Sequence, residues 1–144
     1  MKKPIIVYCA GIFDILHIGH LNFLEKAKSY GDILIVGVVS DKGIERYKFK
    51  KSIIPFEQRY RIIKSLKVVD YAVKQDDTDP TETLKDLYKY HPHLIPNILI
   101  RANDYKGIPP GAVFIESVRG KLIKVPYTKG ISTTLIKQKI IKRK

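Results

Sequence analysis

Short, almost entirely apolar runs alternate along this chain with stretches of helical pattern. Residues 4–10 and 32–40 are the clearest runs, because both are rich in β-branched residues and both are short for helices. Strands that are apolar on both faces belong to parallel sheets covered by helices on each side. The sequence therefore predicts an α/β fold, a doubly wound five-stranded parallel sheet, in which ligands bind at the carboxyl ends of the strands.

The predicted elements alternate in the order β-α-β-α-β-α-β-α-β-α, within a single domain of residues 1–144. Strands are predicted at residues 4–10, 32–40, 68–74, 97–101 and 121–125. Helices are predicted at residues 21–30, 55–66, 78–90, 110–118 and 132–142. Residues 41–52 are polar and basic with no clear period, and we expect a long mobile loop there.

The composition is that of a globular protein, with 44% hydrophobic and 28% charged residues. Cys9 is the single cysteine, which excludes an internal disulfide and any zinc cluster built on several thiolates. It lies in the first predicted strand, where we expect a small core residue. No apolar run approaches the ~20 residues that span a bilayer, and no signal peptide is evident. We expect a cytoplasmic protein that does not contact membranes.

The net charge is +13, from 27 basic and 14 acidic residues. Such an excess suits a protein that binds nucleotides, phosphorylated metabolites or nucleic acid. A lysine-rich solvated surface gives the same number, so charge alone does not separate an enzyme from a nucleic-acid binder. Nucleic acid is the less favoured partner, because aromatic residues are not interleaved with the basic ones on any strand face.

Two histidines stand where the first predicted strand passes into the first predicted helix. If that helix begins near Ile18, the i, i+3 spacing of His17 and His20 lets both imidazoles reach one point above its N-terminus. Free backbone N–H groups and the helix dipole attract an anion there, and Gly19 lets a ligand approach the backbone. Two ordinary polar residues on a surface helix would give the same pattern, so the motif needs a second observation.

That second observation lies near the other end of the sequence, after the fifth predicted strand. Gly130 permits a tight turn, Ser132 is a favourable N-cap, and Thr133 and Thr134 bring hydroxyls beside free N–H groups. A helix start of this kind is a second candidate anion site, although taken alone it would favour a simple capped helix. We therefore expect one crevice at the carboxyl edge of the sheet, bordered by residues 11–20, 48–51, 102–106 and 127–134.

Together, the His-Ile-Gly-His of residues 17–20 and the Ile-Ser-Thr-Thr of residues 131–134 resemble motifs of the cytidylyltransferase-like nucleotidyltransferases. The likeness covers nearly the whole chain, including the basic segment 48–51 and the Pro-Phe-Glu-Gln-Arg of residues 55–59. It implies a Rossmann-like nucleotidyltransferase fold.

The resemblance also implies roles for individual residues. His17 and His20 would bind the nucleotide phosphates and stabilise the charge that grows on the α-phosphoryl group and on pyrophosphate. Lys48, Lys50 or Lys51 would reach over the triphosphate. The other nucleotide-binding residues that the resemblance implies are Gly11, Ile12, Phe13, Gly19, Asp104, Tyr127, Gly130, Ser132, Thr133 and Thr134. For Asp14, a structural role is favoured over a catalytic one.

The implied reaction is a direct in-line attack by an acceptor phosphate on the α-phosphorus of a nucleoside triphosphate. Pyrophosphate leaves, and no covalent enzyme intermediate is needed. Mg²⁺ is expected to arrive bound to the nucleotide, because no dedicated cage of carboxylates is evident in the sequence. Homodimers are common in the family, and the sequence leaves the choice between a monomer and a homodimer open.

Two branches of the family compete for the identity of the substrates. The Gly-Ile-Ser-Thr-Thr run is typical of glycerol-3-phosphate cytidylyltransferases, which use CTP, but Tyr127 stands where that branch usually has a phosphate-binding arginine. Residues 76–80 and 103–105 look closer to the adenylyltransferase half of the bifunctional ADP-heptose synthases of lipopolysaccharide core biosynthesis. We favour AMP transfer from ATP to a phosphorylated sugar or polyol over CMP transfer to glycerol 3-phosphate. An FMN adenylyltransferase and a nucleotide-binding module without turnover are further alternatives.

Overall fold

The computed structural model describes residues 2–48 and 50–143, and these form one parallel sheet with helices on both faces. The strands are β1 (Ile6–Gly11), β2 (Ile33–Val39), β3 (Tyr71–Gln75), β4 (Ile98–Ala102) and β5 (Lys121–Val125). Their order in the sheet is β3-β2-β1-β4-β5, and each pairs in parallel with its neighbours. The predicted doubly wound five-stranded sheet is confirmed, and its strand order is that of a Rossmann-like fold.

The helices are α1 (Ile18–Lys28), α2 (Asp41–Lys48), α3 (Phe56–Ser65), α4 (Thr81–Tyr90), α5 (Ala112–Ser117) and α6 (Thr133–Lys142). On one face of the sheet, Leu24 of α1 packs with Cys9 in a buried cluster. On the other face, Leu84 of α4 packs with Tyr8 and Leu99. Cys9 is buried, as predicted for a core residue. No helix in the part of the chain that the structure describes has the length and apolarity needed to cross a membrane.

The predicted loop over residues 41–52 is wrong for most of its length, because residues 41–48 form helix α2. The Ser40 hydroxyl accepts from the Gly43 N–H at 3.1 Å, and the Ser40 carbonyl accepts from the Ile44 N–H at 3.0 Å, so Ser40 begins the helix. Ile44 is the buried apolar residue of α2. A single buried apolar side chain gives no helical period to detect. Phe49, also in the predicted loop, lies outside the described residues.

The other predicted elements are all present, with ends displaced by a few residues. A buried polar pair crosses the centre of the sheet. The Tyr8 hydroxyl donates to Gln75 Oε1 at 2.6 Å, and Gln75 Nε2 donates to the Asp77 carbonyl at 2.7 Å. A Cβ atom at Gly37 would overlap the Tyr8 hydroxyl. Glycine is therefore required at this position of β2.

Candidate active site

A cleft of about 690 Å³ opens at the carboxyl ends of β1 and β4. It is lined by parts of all four segments that were expected to border one crevice. The predicted site residues in its lining are Gly11, Ile12, Phe13, His17, Gly19, His20, Lys48, Lys50, Lys51, Asp104, Tyr127, Ser132, Thr133 and Thr134. Gly130 is not in the lining; its φ of 82° forms the turn that precedes α6.

His17 and His20 form the first turn of α1 together. The His17 Nδ1 atom accepts from the Gly19 N–H at 3.0 Å, and His20 Nδ1 accepts from the His17 N–H at 3.2 Å, as in a capping box. The two rings stack with centroids 3.8 Å apart. Because both Nδ1 atoms are acceptors, each neutral ring carries its proton on Nε2. Each imidazole therefore keeps its Nε2–H group as a donor for a ligand.

Both histidines are neutral at physiological pH. Burial lowers the pKa of His17. Burial, reinforced by the neighbouring His17 and opposed by Asp14, lowers the pKa of His20 to about 4. The two rings can consequently stack without charge repulsion, and they offer hydrogen bonds to a phosphate without a fixed positive charge.

The connection between β1 and α1 is strained. Phe13 and Ile15 have φ angles of 55° and 58°, a region that costs a non-glycine residue roughly 1–3 kcal/mol. The Phe13 ring packs edge-on against His20, with centroids 5.4 Å apart, and a Cβ at Gly11 would lie 2.7 Å from that ring. A Cβ at Gly19 would lie 2.9 Å from the His17 ring. Gly11 therefore makes room for the Phe13 ring that packs against His20, and Gly19 makes room for the His17 ring itself.

Asp14 connects three parts of the site. Its carboxylate is 7% exposed and accepts from the Ile53 and Ile54 N–H groups at 2.9 Å each. Its backbone carbonyl accepts from the Thr133 hydroxyl at 2.6 Å, and Lys137 Nζ lies 3.9 Å from the carboxylate. Both carboxylate oxygens are thus used to hold backbone, which supports the structural role predicted for Asp14.

The start of α6 forms the opposite wall of the site. Ser132 has extended backbone angles, and its hydroxyl accepts from the Leu135 N–H at 3.1 Å, as expected for an N-cap. Asn22 of α1 donates to the Thr128 hydroxyl at 3.1 Å, which ties the preceding loop to the histidine helix. The Thr133 hydroxyl donates its proton to the Asp14 carbonyl. Towards a ligand, Thr133 therefore offers its hydroxyl oxygen and its backbone.

The lysines enter the cleft from α2 and the residues that follow it. Lys48, Lys50 and Lys51 are exposed and line the cleft. Asp41, the first residue of α2, holds the end of this segment. Its carboxylate accepts from Ser52 Oγ, which follows the lysines, and from Arg59 Nη2, at 2.8 Å each. Partial burial acts to raise the pKa of Asp41, but these hydrogen bonds outweigh it and the pKa is lowered. The lysine segment is therefore anchored at both ends while its side chains reach solvent.

Thr78, Arg101 and Lys137 also line the cleft, and the sequence analysis gave none of them a role in the site. Lys137 lies one turn beyond the Ile-Ser-Thr-Thr motif in α6. This helical spacing was the one sign in the sequence that Lys137 lies near the motif. A lone arginine at the end of a strand belongs to no pattern, and Thr78 was noted only as part of residues 76–80 and as the start of a helix. Only the fold brings these two to the cleft.

A family model described as cytidylyltransferase-like matches residues 8–139. This chain belongs to the cytidylyltransferase-like family. It is a nucleotidyltransferase, which confirms the family recognised from the two motifs. The bifunctional protein HldE of Geobacter metallireducens is 37% identical over 141 residues, which is 95% of this chain and 27% of that protein. HldE of Nitratiruptor sp. is also 37% identical, over 94% of this chain and 27% of the relative. The chain thus spans about a quarter of the length of these curated relatives.

Solved structures share the fold of this chain. A lipopolysaccharide core biosynthesis protein from Thermoplasma volcanium aligns with a TM-score of 0.68 at 29% identity, over 89% of this chain and 99% of the neighbour. A protein of unknown function from Archaeoglobus fulgidus aligns with a TM-score of 0.61 at 20% identity, over 88% of this chain and 93% of the neighbour. At that identity the second likeness concerns the fold alone.

Proposed function

We propose that this nucleotidyltransferase moves AMP from ATP to a phosphorylated sugar or polyol and releases pyrophosphate. The observation that carries the proposal is the pair of stacked, neutral histidines, whose Nε2–H donors share one cleft with the N-terminus of α6 and three lysines. Such an array supplies donors for a triphosphate without a nucleophilic side chain. Cys9 is buried in the core, and burial raises its pKa to about 12, so its thiol does not serve as a nucleophile.

In the proposed reaction, an oxygen of the acceptor phosphate forms a bond to the α-phosphorus of the nucleotide. The bond from the α-phosphorus to the bridging oxygen breaks, and pyrophosphate leaves with that electron pair. His17 and His20 donate from Nε2 to phosphate oxygens whose charge increases in the transition state. The backbone N–H groups at the start of α6 bind the leaving phosphates, together with Ser132 and Thr134. The lysines neutralise the remaining charge.

Mg²⁺ would be bound mainly by the nucleotide. The cleft lining contains two carboxylates, Asp14 and Asp104, and the oxygens of Asp14 are already engaged by the Ile53 and Ile54 amides. Among residues 2–48 and 50–143, no group of three or more His, Cys, Asp or Glu side chains is placed to hold a metal. The ion would supply charge neutralisation on the phosphates, while this chain's residues orient them.

One observation supports ATP as the nucleotide, and a second supports a sugar phosphate as the acceptor. Tyr127 lines the cleft at the position where a cytidylyl-transferring site is expected to present an arginine, and a phenol cannot form a bidentate pair with phosphate. The likeness to HldE and to a lipopolysaccharide core biosynthesis protein supports a sugar phosphate as the acceptor. It also supports a role for this chain in lipopolysaccharide core biosynthesis. The second candidate, CMP transfer to glycerol 3-phosphate, is favoured by the Gly-Ile-Ser-Thr-Thr run of residues 130–134. A cytoplasmic location and a homodimer are parts of the same proposal.

The nucleotide is tested by calorimetric titration with MgATP and, separately, with MgCTP. We expect tighter binding of ATP. Pyrophosphate release is then measured with heptose 1-phosphate, glycerol 3-phosphate and FMN as acceptors. Preference for CTP, with turnover of glycerol 3-phosphate, would replace the favoured reaction by the second candidate. Binding of neither nucleotide would contradict both.

The roles of the histidines are tested with variants that keep the first turn of α1 intact. Asparagine is a good N-cap, so His17→Asn keeps an acceptor for the Gly19 N–H; glutamine suits the third position of a capping box, so His20→Gln keeps that bond. We expect turnover to fall by ~10²–10⁴ in each variant, because each loses an imidazole donor to the developing charge. The control is His93→Gln, an exposed histidine outside the cleft. Turnover within tenfold of wild type in both site variants would rule out this mechanism.

A further inference from the structure

Arg101 reaches the cleft from the side of the sheet opposite to the histidines. It lies in β4 two residues after Leu99, so the two side chains share one face of that strand. Leu99 packs in the buried cluster that includes Leu84 of α4. The histidines, in contrast, belong to α1, whose Leu24 packs on the other face with Cys9. The cleft therefore has donors on two sides.

The guanidinium of Arg101 has no protein partner in the described part of the chain. No hydrogen bond or ion pair joins it to residues 2–48 or 50–143, although the residue is partly buried. Every fully buried side-chain nitrogen or oxygen in these residues has a partner, so the unpaired nitrogens of Arg101 must reach solvent. Arg101 is among the residues that line the cleft, so its side chain borders the space that a ligand would occupy.

Arg59 shows what an arginine with a structural role looks like in this fold. It is 1% exposed, and its guanidinium donates to the carbonyls of Ile54, Ile12 and Val39 and to Asp41. Its donors are used to hold backbone. Arg101 is also partly buried but uses none of its donors in this way. The donors of Arg101 are instead left open to a ligand anion in the cleft that this residue lines.

Arg101 is charged and available, because the guanidinium group keeps its proton in proteins. Burial lowers its pKa, and Tyr105, Asp79 and Asp104 act in the opposite direction from a distance. None of these acids comes within the 4.0 Å of an ion pair among the described residues. The planar guanidinium can therefore accept a phosphate in a bidentate fork, for which a lysine is a poor substitute.

We propose that Arg101 binds the phosphate group of the acceptor, on the side of the cleft opposite to His17 and His20. This inference rests on the proposed nucleotidyl transfer. In-line displacement requires the attacking and leaving oxygens to lie on opposite sides of the α-phosphorus. The histidines and α6 occupy the side of the leaving pyrophosphate, so the attacking phosphate needs a cation on the other side. Arg101 holds that phosphate while one of its oxygens bonds to the α-phosphorus and pyrophosphate departs with the bridging oxygen.

The first test measures binding and needs no turnover. The protein is saturated with Mg²⁺ and the α,β-methylene analogue of the nucleotide that calorimetry selects, and inorganic phosphate is titrated by phosphorus NMR. We expect Arg101→Gln to weaken phosphate binding at least tenfold and to change the affinity for the analogue less than twofold. The matched control is Arg61→Gln, an exposed arginine of α3 outside the cleft. Equal phosphate binding by wild type and Arg101→Gln, or no phosphate binding by wild type, would overturn the role of Arg101.

The second test uses initial rates with whichever acceptor turns over. Arg101→Gln should raise KM for the acceptor about 10–100-fold with KM for the nucleotide within twofold. Arg101→Lys should recover part of this loss, because it restores the charge but not the fork. A rise in KM for the nucleotide instead would assign Arg101 to the nucleotide and overturn the proposal. Failure of the analogue to bind wild-type protein would contradict the proposed function itself. The experiment therefore distinguishes a failure of the proposed function from a failure of the role of Arg101.

Discussion

Replacing Asp14 by asparagine tests whether this buried carboxylate holds the lysine segment in place. The substitution keeps the shape of the side chain but leaves one acceptor oxygen where there were two. The Ile53 and Ile54 N–H groups both donate to Asp14 at 2.9 Å. In the variant, one of them faces an NH₂ group instead of an oxygen. The charge that strengthens the remaining bond is also lost.

The expected loss of stability follows from these contacts. One charge-assisted hydrogen bond contributes about 1.5–3 kcal/mol, and a buried N–H left without a partner costs about 1–3 kcal/mol. Ile53 is 60% exposed, so its backbone can shift towards water and recover part of the second amount. We therefore expect Asp14→Asn to lower the free energy of unfolding by about 2–4 kcal/mol. For a chain of this length, the melting temperature would fall by roughly 5–15 °C.

Urea unfolding followed by circular dichroism measures this change directly. The control is Asp86→Asn, an exposed aspartate of α4, which should change the free energy by no more than about 0.5 kcal/mol. Nucleotide affinity should fall together with stability in Asp14→Asn, because the segment of Lys50 and Lys51 loses one of its two anchors and keeps only the contact of Ser52 with Asp41. Wild-type stability combined with a large loss of turnover would refute this reasoning and would make Asp14 a group that acts on the substrate.

Two further predictions concern pH and the centre of the sheet. The pKa of His20 is about 4 in the folded protein and near its ordinary value of about 6.5 in the unfolded chain, so between these values the unfolded chain binds the extra proton. Stability should consequently fall as pH drops from about 6.5 to 4, by about 1–2 kcal/mol after allowing for solvent at the ring; this decrement should be absent from His20→Gln in unfolding curves measured across that range. Gly37→Ala should destabilise the protein by about 3 kcal/mol or more, because the new methyl group displaces the Tyr8 hydroxyl from Gln75; a free energy of unfolding within about 1 kcal/mol of wild type would contradict that account.

The sheet and its central cleft were predictable because they rest on strong local signals. Continuous apolar strands and the alternation of strands with helices determined the fold, and the rule for parallel sheets placed the two histidines and Ser132 at one edge. The spacing of His17 and His20 predicted that both imidazoles reach one point above the N-terminus of α1, and in the structure the two rings stack. The spacing could not reveal that both Nδ1 atoms are engaged by backbone N–H groups.

The elements that were missed have weak local signals. Helix α2 is held by Ser40 at its start and by Ile44 against the core, and its remaining residues are mostly polar. In a sequence such a segment looks like a loop, because tertiary contacts decide its conformation. Arg101 was missed for a different reason. Its position within β4 is ordinary, and only the pairing of β4 with β1 brings it to the cleft.

The hydrogen bond between the Thr133 hydroxyl and the Asp14 carbonyl joins residues 119 positions apart. Contacts of this kind give a high contact order, and loop-closure entropy makes such chains fold slowly. A partly folded chain in which only β1, β2 and β3 have assembled would contain both histidines but lack the α6 wall of the site. A phosphate ligand that needs both walls would therefore bind the completed fold and not this intermediate. By mass action, such a ligand would draw the final docking step to completion.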